Sequence, residues 1–145
     1  MSRTNWKGFE RFVARALGVE RYSKGHLGES APDVVKKFGD YTLIIECRNR
    51  KILKLEEYMK DAKSYRKGSK DIIILCYRKT NSKMIDVFLT IKDFEKLYYQ
   101  STNICQKTYL QIQEIVLKLD WNDFLYIVKV AENAINHSHK RSKKK

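Results

Sequence analysis

PDVVKKFGDYTLIIECR, residues 32–48, decides the fold of this chain. Residues 34–38 and 41–46 are rich in β-branched and aromatic side chains, and the turn pair Gly39-Asp40 separates them. Two such runs on either side of a short turn are typical of a β-hairpin. The sequence therefore predicts two antiparallel strands here, and the rest of the fold is built around them.

This hairpin is expected to bring two carboxylates and a cation to one edge of a sheet. Pairing across the turn places Asp33, at the start of the first strand, near Glu46, at the end of the second. Side chains alternate along a strand, so Glu46 and Arg48 share one face and Cys47 points to the other. Carboxylate oxygens suit Mg²⁺, which takes one or two of them together with water and substrate phosphate. The alternative is a turn-forming Asp33 and a solvated Glu46, but a charge that ends an apolar run needs a reason.

A helix is predicted upstream of the hairpin. Its buried stripe is expected to consist of residues at helical spacing, namely Trp6, Phe9, Val13, Ala16 and Leu17. Gly18 is placed to end the helix. Glu10 and Arg11 lie near the boundary of the stripe, where a carboxylate can reach a site under the sheet edge. The alternative is a solvated pair of charges.

The segment before the hairpin, residues 21–31, is small, polar and basic. Glycine allows a phosphate backbone to approach closely, and Ser, Lys and Arg side chains donate hydrogen bonds to it. The candidate contacts are Arg21, Ser23, Lys24 and Ser30. An ordinary surface loop is the alternative interpretation. His26 has no nearby histidine or cysteine that would indicate a zinc site.

The chain is strongly basic, with 30 Lys and Arg against 17 Asp and Glu and a net charge of +13. A balance of this size is typical of proteins that bind a polyanion, although a soluble, lysine-rich surface explains part of it. One basic cluster, residues 48–51, directly follows Glu46. Arg50 and Lys51 are therefore expected to contact nucleic acid beside the acidic residues.

Residues 1–100 are assigned to one α/β domain with a mixed central sheet flanked by helices. Apolar spacing predicts a further helix over 53–67, strands over 71–77 and 84–89, and a short helix that Thr90 or Asp93 caps. Each apolar stripe is expected to be core.

Residues 101–136 are predicted to form a C-terminal helical extension that packs on the core or at a dimer interface. One helix is expected over 108–118 and another after Asp120 as N-cap. Residues 137–145 are basic and lack apolar periodicity, so a disordered tail is expected there.

Cysteine use and hydropathy indicate the compartment. The three cysteines are scattered without CxxC spacing, which favours reduced core residues of an intracellular protein. A stretch of eighteen apolar residues is absent from the sequence, so no membrane span is predicted. A cytoplasmic protein is expected.

These residues, taken in order, resemble a known family of nucleases. The pattern is similar to that of the archaeal and viral Holliday junction resolvases, a branch of the PD-(D/E)xK nuclease superfamily. Residues 5–97 carry the resemblance through a helix with Glu10-Arg11, then Arg21, Ser30, Asp33 and Ile45-Glu46-Cys47-Arg48. It implies a restriction-endonuclease-like fold and a homodimeric, Mg²⁺-dependent endonuclease, with Mn²⁺ as a substitute. Its expected substrate is branched DNA, cut in paired strands at four-way junctions.

The resemblance also implies roles for single residues. Glu10, Asp33 and Glu46 would be metal ligands, with the main-chain carbonyl of Cys47 as a further ligand. Arg11 and Arg21 would contact the phosphate backbone, and Ser30 would lie beside the scissile strand.

Arg48 departs from the family pattern, which has lysine at this position. An arginine is always charged, so it can neutralise charge on a phosphate but cannot act as a base. Cleavage would then rely on a metal to generate hydroxide, or on Lys51. Two alternatives therefore stay open: a restriction- or repair-like nuclease on duplex or nicked DNA, and a DNA-binding protein with a relic site.

Overall fold

The computed structural model describes residues 5–22, 30–102 and 116–143, and the fold is given for these residues. They form five strands and four helices in the order α1 (Asn5–Ala16), β1 (Val34–Phe38), β2 (Tyr41–Arg50), α2 (Leu55–Lys63), β3 (Asp71–Lys79), β4 (Ile85–Thr90), α3 (Ile91–Thr102), β5 (Val116–Asp120) and α4 (Trp121–Lys143).

The described strands form one mixed sheet in the order β1-β2-β3-β4-β5. Strands β2 and β3 are parallel, and the other neighbouring pairs are antiparallel. One face packs against α1, α4 and Leu97 of α3 in the main core cluster, whereas the other face packs against α2. The predicted α/β class with a mixed, helix-flanked sheet is thereby confirmed.

The predicted hairpin is present. Strands β1 and β2 pair from Val34 with Ile45 to Phe38 with Tyr41, and Gly39 adopts a φ of 57° in the turn. Asp33 extends the ladder, since its N–H donates to the carbonyl of Ile45 at 3.1 Å. The start of β1 is therefore fixed beside the middle of β2.

Helix α1 packs on the sheet by a stripe that differs from the predicted one. Its core residues are Phe9, Val13, Ala14 and Leu17. Trp6, expected in the core, is 44% exposed, because it lines an open pocket instead of packing under the sheet. Glu10, expected at the boundary, is only 6% exposed. Gly18 ends the helix as predicted, with a φ of 74° and a hydrogen bond from Val19 N to Ala14 O of 2.9 Å.

The C-terminal region corrects two predictions. Residues 116–118, expected to be helical, belong to β5, which pairs with the edge of β4; the rest of that predicted helix, 108–115, lies outside the described residues. Backbone pairing with β4 outweighs the weak helical pattern of this short segment. Residues 137–143, expected to be disordered, continue α4, because extending a formed helix costs little compared with nucleating it.

Helix α4 packs on the core, which was one of the two predicted positions for the extension. Asp120 caps it as predicted, accepting a hydrogen bond from Asn122 N at 3.0 Å. Phe124, Val128 and Ala131 are buried in the main core cluster. In the part of the chain that the structure describes, no helix is both long enough and apolar enough to cross a lipid bilayer.

Asp93 is a buried charge that ties three segments together. Thr90 is the cap of α3, because its Oγ1 accepts a hydrogen bond from Asp93 N at 3.2 Å. The Asp93 carboxylate is fully buried and accepts from Ile73 N at 3.0 Å, from Arg66 at 2.6 Å and from Lys96 at 3.3 Å.

Replacing Asp93 with Ala is expected to lower the free energy of unfolding by about 3–5 kcal/mol, as for a broken buried ion pair. The substitution leaves the buried N–H of Ile73 without its acceptor and removes the carboxylate that pairs with Arg66 and Lys96. Urea unfolding followed by circular dichroism measures the change. The control is Asp86→Ala, which removes a surface pair with Lys118 (3.6 Å) and is expected to cost about 1 kcal/mol or less. Equal losses in the two variants would contradict this prediction.

Candidate active site

Three carboxylates from three segments meet at the junction of α1, β1 and β2. Glu10 comes from α1, Asp33 precedes β1, and Glu46 lies in β2. Glu10 and Glu46 are 6% and 4% exposed, and each interacts electrostatically with Asp33. The three acids that the sequence analysis selected are therefore neighbours in the fold.

Asp33 is held in place by main-chain hydrogen bonds. Its Oδ2 accepts from Cys47 N at 2.7 Å, and its carbonyl accepts from Tyr22 N at 2.9 Å. Together with the bond from Asp33 N to Ile45, these contacts fix the residue between the two glutamates. The Asp33 carboxylate is thus held by a main-chain N–H, and it also interacts with the side chains of Glu10 and Glu46.

Glu46 has one satisfied oxygen and one unsatisfied oxygen. Arg48 Nη1 donates a hydrogen bond to Glu46 Oε1, as alternation along β2 predicts for two residues on one face. Glu46 Oε2 is buried and has no hydrogen-bond partner. A buried, unpartnered carboxylate oxygen is costly, so this atom is suited to bind a proton or a cation.

The cluster retains protons near neutral pH. Burial, with the nearby Asp33 charge, raises the pKa of Glu10 to about 7, although Arg21 at 3.1 Å opposes the rise. Burial and Asp33 likewise raise the pKa of Glu46 to about 7 against the effect of Arg48. Burial also raises the pKa of Asp33, which the hydrogen bond from Cys47 N counteracts. Perturbed carboxyl groups of this kind are concentrated at functional sites.

The fit of these residues to a metal ion is partial. Among the residues that the structure describes, no group of three or more His, Cys, Asp or Glu side chains is arranged to hold a metal ion. Mg²⁺ requires less, since it is commonly bound by one or two carboxylates with water and phosphate completing the shell. Asp33 and Glu46 supply two neighbouring carboxylates of the type that this smaller requirement names. The carbonyl of Cys47, predicted as a ligand, is 3.4 Å from Arg48 Nη1.

Arg48 is engaged by acids on both sides. Besides Glu46, its guanidinium pairs with Asp61 of α2 at 3.1 Å and lies 5.4 Å from the ring centroid of Tyr58. The sequence analysis missed both partners. Their spacing of three residues places them on one face of α2, but it does not indicate which strand that face packs against.

An open pocket of about 240 Å³ exposes Glu10 and Asp33 of the cluster on one side. It is lined by Trp6, Phe9, Glu10, Asp33, Cys47, Arg48, Asn49 and Arg50. Arg50, a predicted DNA contact, is exposed in its wall, and Lys51 is exposed directly after β2. The sequence analysis missed Trp6 and Asn49 as pocket residues.

The other predicted DNA contacts are distributed differently. Arg11 is exposed on α1, outside the residues that line the pocket. Arg21 pairs with Glu10, so its guanidinium supports the acidic cluster. Ser30 Oγ and Tyr65 Oη are 2.7 Å apart and share a hydrogen bond. Ser23 and Lys24 lie outside the described residues.

No protein-family model, no curated protein and no solved structure matches the chain.

Proposed function

We propose that this protein is a metal-dependent DNA endonuclease of the junction-resolving PD-(D/E)xK type, with a restriction-endonuclease-like core. The single observation that carries the proposal is the acidic cluster. Two buried glutamates, Glu10 and Glu46, each interact with the partly buried Asp33, and one oxygen of Glu46 has no hydrogen-bond partner. Glu10 and Asp33 line a pocket to which Arg48 and Arg50 also contribute. The order of these residues along the chain is the order on which the family resemblance rests.

The chemistry follows from what each side chain can do. Asp33 and Glu46 would hold Mg²⁺, which when bound lowers the pKa of a water molecule and stabilises the leaving oxygen. Glu10, with a pKa of about 7, can take up a proton at its carboxylate near neutral pH. Arg48 offsets negative charge between Glu46 and Asp61, and its charge can also stabilise a phosphate oxygen that approaches Glu46.

Basic residues supply the contacts with the DNA backbone. The ends of the parallel strands β2 and β3 lie side by side, with Asn49 opposite Arg78 and Arg50 opposite Lys79. Arg50 lines the pocket of the acidic cluster, and Arg78 and Lys79 at the end of β3 add two cations to the same end of the sheet, one on each face. Affinity for DNA is therefore expected to fall steeply with salt concentration.

A homodimer follows from the proposed reaction. Symmetric cuts in two strands of a junction require two sites related by a two-fold axis. A restriction- or repair-like nuclease on duplex or nicked DNA would use the same residues without that spacing.

The second candidate function is DNA binding without cleavage. The pairing of Arg48 with both Glu46 and Asp61 favours it, because a guanidinium held by two acids neutralises the cluster and cannot serve as a base.

Cleavage of a labelled four-way junction and of a linear duplex with matched arms tests the proposal. We expect paired, symmetric nicks in the junction with Mg²⁺ or Mn²⁺, and none with EDTA. Equal cutting of both substrates would favour the duplex nuclease. Salt-sensitive binding to the junction without cutting under any metal condition would contradict the enzymatic proposal and leave the binding function.

A further inference from the structure

Trp6 is a large exposed side chain in the pocket of the acidic cluster. It precedes Glu10 by four residues on α1, so the two side chains are neighbours on one helix face. It lines the same pocket as Asp33 and Arg50. A single exposed apolar residue is ordinary on a protein surface, and the surroundings of Trp6 are what distinguish it.

Phe12, another exposed aromatic residue of α1, has a different environment. Its ring packs against Trp121 of α4, with centroids 6.1 Å apart, so it contributes to the contact between two helices. The indole of Trp6 instead has the ammonium of Lys7 5.2 Å from its centroid and the cation Arg50 in the same pocket. Trp6 is therefore an aromatic surface among cations, beside carboxylates that are proposed to act on a phosphodiester.

The size of the pocket limits what it can bind. Its volume of about 240 Å³ is below the range of roughly 300–1,000 Å³ that is usual for sites that enclose a small molecule. A pocket of this size can take a phosphodiester group and part of one adjoining nucleotide. The remainder of a polymeric substrate would lie outside, across Trp6 and the basic ends of β2 and β3.

Exposed aromatic rings among cations are the usual means of binding unpaired nucleotides. Bases stack on the rings while Lys and Arg contact the phosphates, and the stacking is insensitive to sequence. In an intact duplex, neighbouring base pairs already cover both faces of each base. A ring at this position therefore distinguishes unpaired nucleotides from paired ones.

We propose that Trp6 stacks on an unpaired nucleobase next to the phosphate bound at the acidic cluster, so that the substrate is DNA in which unpaired nucleotides adjoin a duplex. This inference rests on the proposed nuclease function and specifies its substrate class. A fork or a gap provides such bases, a four-way junction provides them where base pairs open at its centre, and uninterrupted duplex does not.

Tryptophan fluorescence tests the stacking directly. The chain has two tryptophans, so Trp121→Phe leaves Trp6 as the sole indole. Its emission is titrated with a Y-shaped fork, a gapped duplex and a blunt duplex, with Ca²⁺ in place of Mg²⁺ to limit cutting. The anisotropy of labelled DNA reports binding independently. We expect the fork and the gapped duplex to quench Trp6 emission and the blunt duplex to leave it unchanged.

Substitutions on α1 give a second measurement. Trp6→Ala is expected to weaken fork binding by about tenfold or more and to leave blunt-duplex affinity unchanged. Trp6→Phe retains a ring and is expected to recover most of the fork affinity. The matched control is Phe12→Ala, which removes an exposed ring outside the pocket and should leave the preference for the fork unchanged. Circular dichroism of each variant checks folding.

Each result has a separate meaning for the two proposals. Fork binding with unchanged Trp6 emission, or equal quenching by blunt duplex, would overturn the stacking role while the nuclease proposal stands. Failure of every DNA to bind, as measured by anisotropy, would overturn the nuclease proposal and this inference together.

Discussion

Replacing Asp33 with Asn is expected to reduce Mg²⁺-dependent cleavage by at least about 10³-fold. Mutating an outer-shell partner of a metal ligand typically costs about 10–100-fold, and Asp33 is proposed as a ligand itself. Asn can still accept the hydrogen bond from Cys47 N, so the backbone around the site is expected to remain intact. Single-turnover cleavage of the labelled junction measures the loss.

The same substitution is expected to make the protein more stable at pH 8. Burial and, after it, the charge of Asp33 raise the pKa of both Glu10 and Glu46 to about 7, above the ordinary value of 4.5. A carboxyl group with a raised pKa binds more protons folded than unfolded, so the free energy of unfolding falls as pH rises from about 4.5 to 7. Asp33→Asn removes part of this repulsion, and the melting temperature should rise by about 2–4 °C per kcal/mol recovered.

Melting curves between pH 4.5 and 8 check the stability change. The wild type should lose stability over this interval more steeply than Asp33→Asn, and Mg²⁺ at pH 8 should raise the melting temperature of the wild type more than that of the variant. Asp86→Asn, which alters a surface pair, is the control and should leave the pH slope unchanged. A variant that is less stable than wild type at pH 8 would show that Asp33 stabilises the fold and does not strain it.

Arg48 is expected to be essential as a cation but replaceable by lysine. Arg48→Met leaves Glu46 without its hydrogen-bond donor and removes the charge that opposes the rise of its pKa. We expect junction cleavage to fall by about 10²–10³-fold, the usual cost of losing one electrostatic contact to the transition state. Arg48→Lys keeps the charge and restores the residue type of the family pattern, so it should cleave at least as fast as wild type.

Asp61→Asn is the matched control for Arg48. It removes the second acid that holds the guanidinium and leaves the contact with Glu46, so cleavage should change by less than about tenfold, as for a surface ion pair. Cleavage rates of the three variants under single-turnover conditions make the comparison. An Arg48→Met variant as active as wild type would contradict a role for this cation, and an inactive Arg48→Lys would show that the guanidinium geometry is required.

Local patterns were sufficient to predict the hairpin and the position of Asp33 beside Glu46. Strand alternation and turn chemistry act over a few residues, and they fix which face each side chain occupies. The partners of Arg48 depend on how α2 packs against β2, which is a long-range contact that no local pattern encodes.

The wrong predictions for α1 and for residues 116–118 also arose because local patterns do not encode long-range packing. The apolar periodicity of α1 predicted that Trp6 is buried, because periodicity depends on which side chains are apolar and carries no information on where the sheet ends. Residues 116–118 alternate too briefly to separate strand from helix, and pairing with β4 decides between them. The buried Glu10 is paired with Arg21, which lies eleven residues away and after the end of the helix, so helical periodicity could not indicate this partner.

Lys36 has a consequence for how the protein behaves at high concentration. Strand β1 is an edge of the described sheet, and Lys36 points inward from it, bonding to Leu17 O at 2.6 Å and pairing with Glu132 at 3.2 Å. Unpaired edge strands readily recruit strands of other molecules, and inward-pointing charges prevent this. Pairing of this edge with a strand of another molecule would bury the start of β1. The lysine therefore opposes self-association through the strand that directly follows Asp33, and it leaves that edge accessible to a substrate.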